Sequence, residues 1–137
     1  MGSVARVGIL LLVLLAAACG ESDEAGQREG PATSVEVTLW PEGRSGANQR
    51  AVLECGPVGG SHPHAQEACA ALESEADALE PVPGDVACTQ IYGGPEEARI
   101  AGAVRGNAVD SMFSRTNGCE IDRWDRLAPV LDVLPTA

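Results

Sequence analysis

The chain has 137 residues, room for one domain with one modest core. Twenty Asp and Glu stand against nine basic residues, all of them arginine, for a net charge of −11. That balance excludes the basic footprint that nucleic-acid binding needs and docking by charge alone on anionic lipid; otherwise it favours solubility.

The N-terminus opens with Arg6 and an apolar run over residues 7–18. The run is shorter than the roughly 20 residues that a membrane span requires, so residues 1–18 read as a signal peptide. Leu15-Ala16-Ala17-Ala18-Cys19 resembles a bacterial lipobox, with Ala16 where such signals usually carry Leu. The resemblance implies cleavage before Cys19 and a diacylglycerol on its thiol; plain signal cleavage, with Cys19 left as a thiol, is the alternative. Eight arginines and all twenty acids follow the signal, so the mature chain carries −12. Residues 19–33, rich in Gly and acids, form a flexible tether, and the folded domain occupies residues 34–137.

Apolar alternation begins with Val35, Val37 and Leu39, one face of a half-buried strand. A loop follows, then a second strand over residues 50–55. The Gly/Pro turn "GPVGGSHP" leads into a helix with Pro63 in its first turn. Ala65, Ala68, Cys69, Leu72, Ala76 and Leu79 recur at helical spacing as one apolar stripe, and the prolines of "EPVPG" stop it. After "ACTQIYGGP", the segment "ARIAGAVRGNAVDSMFSR" predicts a hairpin, with Ile100 and Val104 before a tight Gly106-Asn107 turn and Val109 and Phe113 after it. The tail predicts a short helix over residues 122–127, then an extended end beyond Pro129. Strands, a helix and more strands give an α+β class with an antiparallel sheet.

Five cysteines become four once Cys19 is set aside: Cys55, Cys69, Cys88 and Cys119. In an exported chain four imply two disulfides, with three pairings open. His62 and His64 do not make a metal site, since zinc takes about four ligands and the cysteines are spoken for; His62 is assigned to capping the helix. A cysteine nucleophile fails for the same reason, and the sequence holds no G-x-S-x-G, H-E-x-x-H or P-loop motif. No cofactor is expected. The acids form a solvated face without a distinct catalytic pair, which leaves a hydrolase as a distant third reading.

"ACTQIYGGP" can be a plain connection or an exposed, stiff loop that lies in a protease cleft like an added strand. Stiffness limits the entropy lost on docking and keeps cut ends together, so that a broken bond is resealed. In order, "LECGPVGGSHP", "ACAAL", "VACTQIY", the hairpin and "FSRTNGCEI" resemble the Streptomyces-type subtilisin inhibitor family, from Ser34 to the tail.

The resemblance implies a five-stranded antiparallel sheet packed with two helices, Cys55–Cys69 and Cys88–Cys119 bridges, and dimerisation through the sheet as a possibility. The first bridge closes a loop of about 15 residues, ~3 kcal/mol in the chain-entropy model. It further implies Gln90–Ile91 as the reactive bond, with Gln90 as P1, Thr89 as P2, Cys88 as P3 and Tyr92 as P2′. Gln90 stands where such inhibitors usually carry a long apolar or basic residue. A broad subtilisin-type S1 pocket admits it, whereas a trypsin-like acidic pocket meets no charge. Gly93-Gly94-Pro95 replaces the family's usual Asp-Pro and predicts added backbone freedom after the bond.

Two functions follow as expectations. One is a substrate-like inhibitor of subtilisin-class serine proteases, lipid-anchored on the outer face of a bacterial cell membrane or otherwise secreted. The other is a non-inhibitory surface lipoprotein that uses the same scaffold for protein–protein contact.

Overall fold

The computed structural model describes residues 30–135. The signal peptide, Cys19 and most of the tether lie outside the described residues. Among the described residues no helix is long and apolar enough to cross a membrane.

Five antiparallel strands form one sheet: β1 (Thr33–Trp40), β2 (Gln49–Cys55), β3 (Gly59–Gly60), β4 (Glu97–Val104) and β5 (Asn107–Phe113), in the spatial order β3-β2-β1-β4-β5. β1 is central. Its Val37 lies opposite Ala51 of β2 and Ile100 of β4, and Leu39 lies opposite Ala98. Alternation puts Val35, Val37, Leu39, Ala51, Leu53, Ala98, Ile100 and Phe113 on one buried face. The other face carries polar pairs such as Arg99 with Asp110 and Arg50 with Glu36. The α+β class with an antiparallel sheet is the one the order of elements predicts, and its five strands are the number the resemblance implies.

The helical layer covers the apolar face. It comprises α1 (Ala65–Ser74), a 3-10 turn (Ala76–Leu79), α2 (Gly118–Arg126) and a short α3 (Ala128–Leu131). Ala68, Leu72, Ala78, Leu79, Leu127, Val130, Leu131 and Val133 complete the core. The expected single stripe from Ala65 to Leu79 is thus broken at Glu75. The 3-10 turn lets the adjacent Ala78 and Leu79 both bury, which one face of a continuous α-helix does not favour. Arg105 donates from Nη2 to Glu73 O at 2.8 Å, satisfying a carbonyl that the helix end leaves open. Arg126 then grips both Glu75 and Asp77 across the break.

Two other boundaries differ from expectation. The hairpin turns on Arg105 and Gly106, both at positive φ (50° and 78°), with Val104 paired to Asn107. The turn is one residue earlier than Gly106-Asn107. In the tail, α2 begins four residues before Asp122, and Pro129 sits in the first turn of α3 instead of starting an extended end. His62 is buried and clamps these parts together. Its Nδ1 accepts from His64 N at 3.1 Å just before α1, and its Nε2 donates to Val130 O of α3 at 2.9 Å. It therefore joins helix start to helix layer, more than the simple cap expected of it.

Candidate functional site: the loop over residues 81–96

Beyond Glu80, which closes the 3-10 turn, the chain runs for sixteen residues, 81–96, to β4 without a regular element. Pro81 and Pro83 restrict its first part, and Val86 N donates to Pro83 O at 3.1 Å. Thr89, Gln90, Ile91 and Tyr92 are all exposed. Ile91 is 59% and Tyr92 66% accessible, an unusual outlay of apolar surface for a connection that only joins two elements.

The exposed tip is fastened at both ends to one stretch, residues 115–119. Cys88 is bonded to Cys119, with Cα atoms 5.4 Å apart. Gly118 N donates to Thr89 O at 2.9 Å, and Gly93 N donates to Arg115 O at 2.7 Å. Gln90 folds its own amide back, donating from Nε2 to Cys88 O at 3.3 Å. Three attachments thus flank Gln90–Ile91 within six residues. The second disulfide, Cys55–Cys69, has Cα atoms 5.7 Å apart and ties β2 to α1.

The supporting stretch has its own reasons for being rigid. Asn117 is the N-cap of α2: its Oδ1 accepts from Glu120 N at 3.0 Å. That cap fixes where Cys119 points. Gly118 lies so close to Thr89 that a Cβ there would run into the Thr89 Oγ1 and Cβ. Arg115 reaches over the Trp124 ring, 6.0 Å from its centroid, and meets Glu96 at 3.6 Å on the outgoing stem of the loop. Behind these, the buried Arg123 donates to Ala78 O at 3.1 Å and Met112 O at 3.3 Å and pairs with Glu120 at 2.8 Å. This locks α2 to the 3-10 turn and to β5.

Gly93, after the bond, behaves differently from expectation. Gly93 is hydrogen-bonded, and a Cβ on it would press on Ile121 and on the Arg115 Cβ at 3.0–3.2 Å. Gly93 therefore serves close packing against α2, and the extra freedom predicted on this side is curtailed by its bond to Arg115. Asn117, Gly118, Arg115 and Gly93 carry no weight in a reading by residue type. The Asn117…Glu120 spacing, a cap residue with Glu three later, is the signal that locates the start of α2.

His62 and His64 have protein partners: His62 as described, and His64 Nε2 lies 3.9 Å from Asp132 Oδ2. Among the described residues no three His, Cys, Asp or Glu side chains gather as a metal-binding group.

The described residues form a small domain with two disulfides, in which a helix start braces an exposed segment from behind. A family model described as subtilisin inhibitor-like matches residues 32–117, well over half of the chain. The chain belongs to the subtilisin inhibitor-like family. It is also similar to "Subtilisin inhibitor-like protein 1" of Streptomyces cacaoi, 36% identical over 81 residues that cover 55% of this chain and 73% of that protein.

Proposed function

We propose that the protein is a substrate-like inhibitor of subtilisin-class serine proteases, a binding protein and not an enzyme, with Gln90–Ile91 as the reactive bond. The observation that carries the reading is the fastening of both sides of that bond to residues 115–119 by the Cys88–Cys119 bridge and two backbone hydrogen bonds. Thr89, Gln90 and Tyr92 are the side chains a cleft meets first. When a protease serine attacks the Gln90 carbonyl, the Gln90–Ile91 bond breaks and the Ile91 amine is the leaving group. The Gly93–Arg115 bond holds that amine near the acyl carbon. Resealing is then an intramolecular step, favoured over attack by water through high effective concentration.

Gln90 is unbranched and uncharged, so a broad S1 pocket accepts it without a buried unpaired charge. Titration of the purified mature protein against subtilisin tests the reading. Stoichiometric inhibition that disappears in Gln90→Pro supports it; rapid hydrolysis of the domain overturns it. Digestion followed by mass analysis, with and without reductant, places the cut.

The lipobox-like segment extends the proposal to a surface anchor through Cys19 outside the cell. Palmitate labelling of the full chain that persists in Cys19→Ala rejects the anchor. A homodimer through the open face of the sheet belongs to the same reading, and sedimentation of the mature protein decides it.

A further inference from the structure

Asn117-Gly118 is the single Asn-Gly dipeptide of the chain, and it lies where the loop is fastened. In such a pair the following residue has no Cβ to obstruct attack of its backbone nitrogen on the side-chain amide. Gly118 N loses its proton to base and bonds to Asn117 Cγ; the Cγ–Nδ2 bond breaks, and Nδ2 takes up a proton and leaves as ammonia. Water then opens the cyclic imide at either carbonyl, giving aspartate or, with the main chain rerouted through Cγ, isoaspartate.

Three features of the fold oppose that step. Gly118 N–H is committed to Thr89 O at 2.9 Å. Asn117 Oδ1 is committed to Glu120 N at 3.0 Å. The Asn117 backbone is extended, at φ −157° and ψ 172°, and must rotate before Cγ can close a five-membered ring on Gly118 N. Only the first of these involves the loop, and it is the one that frees the nucleophile.

We propose that Asn117-Gly118 is a deamidation site held shut by the docked reactive loop and opened when the loop comes away. Departure of Thr89 O frees the Gly118 N–H, which leaves only the cap bond to Glu120 N and the extended Asn117 backbone to give way before the ring closes. Isoaspartate lengthens the main chain by one carbon between the cap and Cys119, so the loop no longer finds its seat. A transient release is thereby converted into a permanent one. The chemistry rests on the anchoring of the loop; its effect on inhibition rests on the proposed reactive bond.

The test compares deamidation at Asn117 in three samples at mildly alkaline pH, by peptide mapping with isoaspartate detection. They are the mature protein, the Cys88→Ser/Cys119→Ser variant that keeps Cys55–Cys69, and the mature protein in denaturant. Asn48 and Asn107, neither followed by glycine, serve as internal references. Asn117 is expected to react more slowly in the native protein than in denaturant by on the order of tenfold or more, and the variant to approach the denatured rate. Equal native and denatured rates, or a folded variant as slow as the native protein, overturn the proposal.

If circular dichroism shows that the variant has lost its sheet, hydrogen exchange on the unmutated protein replaces it. Exchange at the Gly118 amide and deamidation at Asn117 then rise together in sub-denaturing guanidinium, before the Ile100 amide of the sheet exchanges. Deamidation that rises only with the sheet overturns the loop's part. Subtilisin titration of fresh and aged samples separates the two readings. Absent inhibition in fresh protein sinks the proposed function and leaves the deamidation result standing.

Discussion

Thr89 and Gly118 meet where no side chain fits between them, so the position of Thr89, the proposed P2 residue, depends on a residue 29 places away. In Gly118→Ala the new methyl forces Thr89 to rotate about a β-branched χ1 that has few alternatives. Overpacking of this kind costs about 1–2 kcal/mol, or roughly tenfold in the inhibition constant, while the sheet stays intact; titration with subtilisin and circular dichroism check both halves. Gln90 makes the complementary case. Gln90→Lys supplies the charge that a trypsin-like acidic pocket lacks, and a charge-assisted contact predicts a gain in trypsin inhibition on the order of tenfold or more. The four cysteines are legible from residue type and count because their chemistry is their own, whereas Gln90 is singled out as the proposed P1 only through the resemblance. Gly118 and Arg115 are not, because their roles exist only once α2 and the loop are brought together.

Among the elements, α2 does most to hold the site. Its cap at Asn117 orients Cys119, and Arg123 fastens it to Ala78 O and Met112 O. Removing the bridge in Cys88→Ser/Cys119→Ser frees a 31-residue separation, worth about 3–4 kcal/mol in the chain-entropy model. Chemical denaturation should show that loss, and the released loop should be cut by subtilisin rather than withstand it, as chromatography of the digest reports. The strands were readable from the alternation of Val35, Val37 and Leu39 and from the apolar residues flanking the hairpin. The helices were less so. Periodicity sees the stripe from Ala65 to Leu79 but not the change of axis at Glu75, which Arg105 and Arg126 stabilise from distant parts of the chain. It also sees Pro129 as a stop, although a proline serves equally well as a start.

Across the whole molecule, the acidic surface is organised by a few arginines. The Arg126 guanidinium, hydrogen-bonded to Asp77, holds that carboxyl below the usual carboxylate range, and Arg99 does the same to Asp110. A carboxyl depressed in the folded state binds fewer protons there than in the unfolded chain. Its stabilisation is therefore complete above the ordinary carboxylate value and is lost as pH falls through the lowered folded one. Both groups face solvent, so the effect is small and screened by salt. Calorimetry from neutral to strongly acidic pH should show a melting temperature that falls more gently in Asp77→Asn than in the parent protein, with the difference shrinking at high salt.

β1 separates the two ends of the domain. It starts at Thr33, beside the Arg105-Gly106 turn, and finishes at Trp40, opposite Glu97 where the loop rejoins the sheet. Eight residues at ~3.3 Å each set those ends about 25 Å apart. The start of the sheet and the return of the exposed loop therefore fall at opposite poles of the central strand, with the proposed bait joined to the far one.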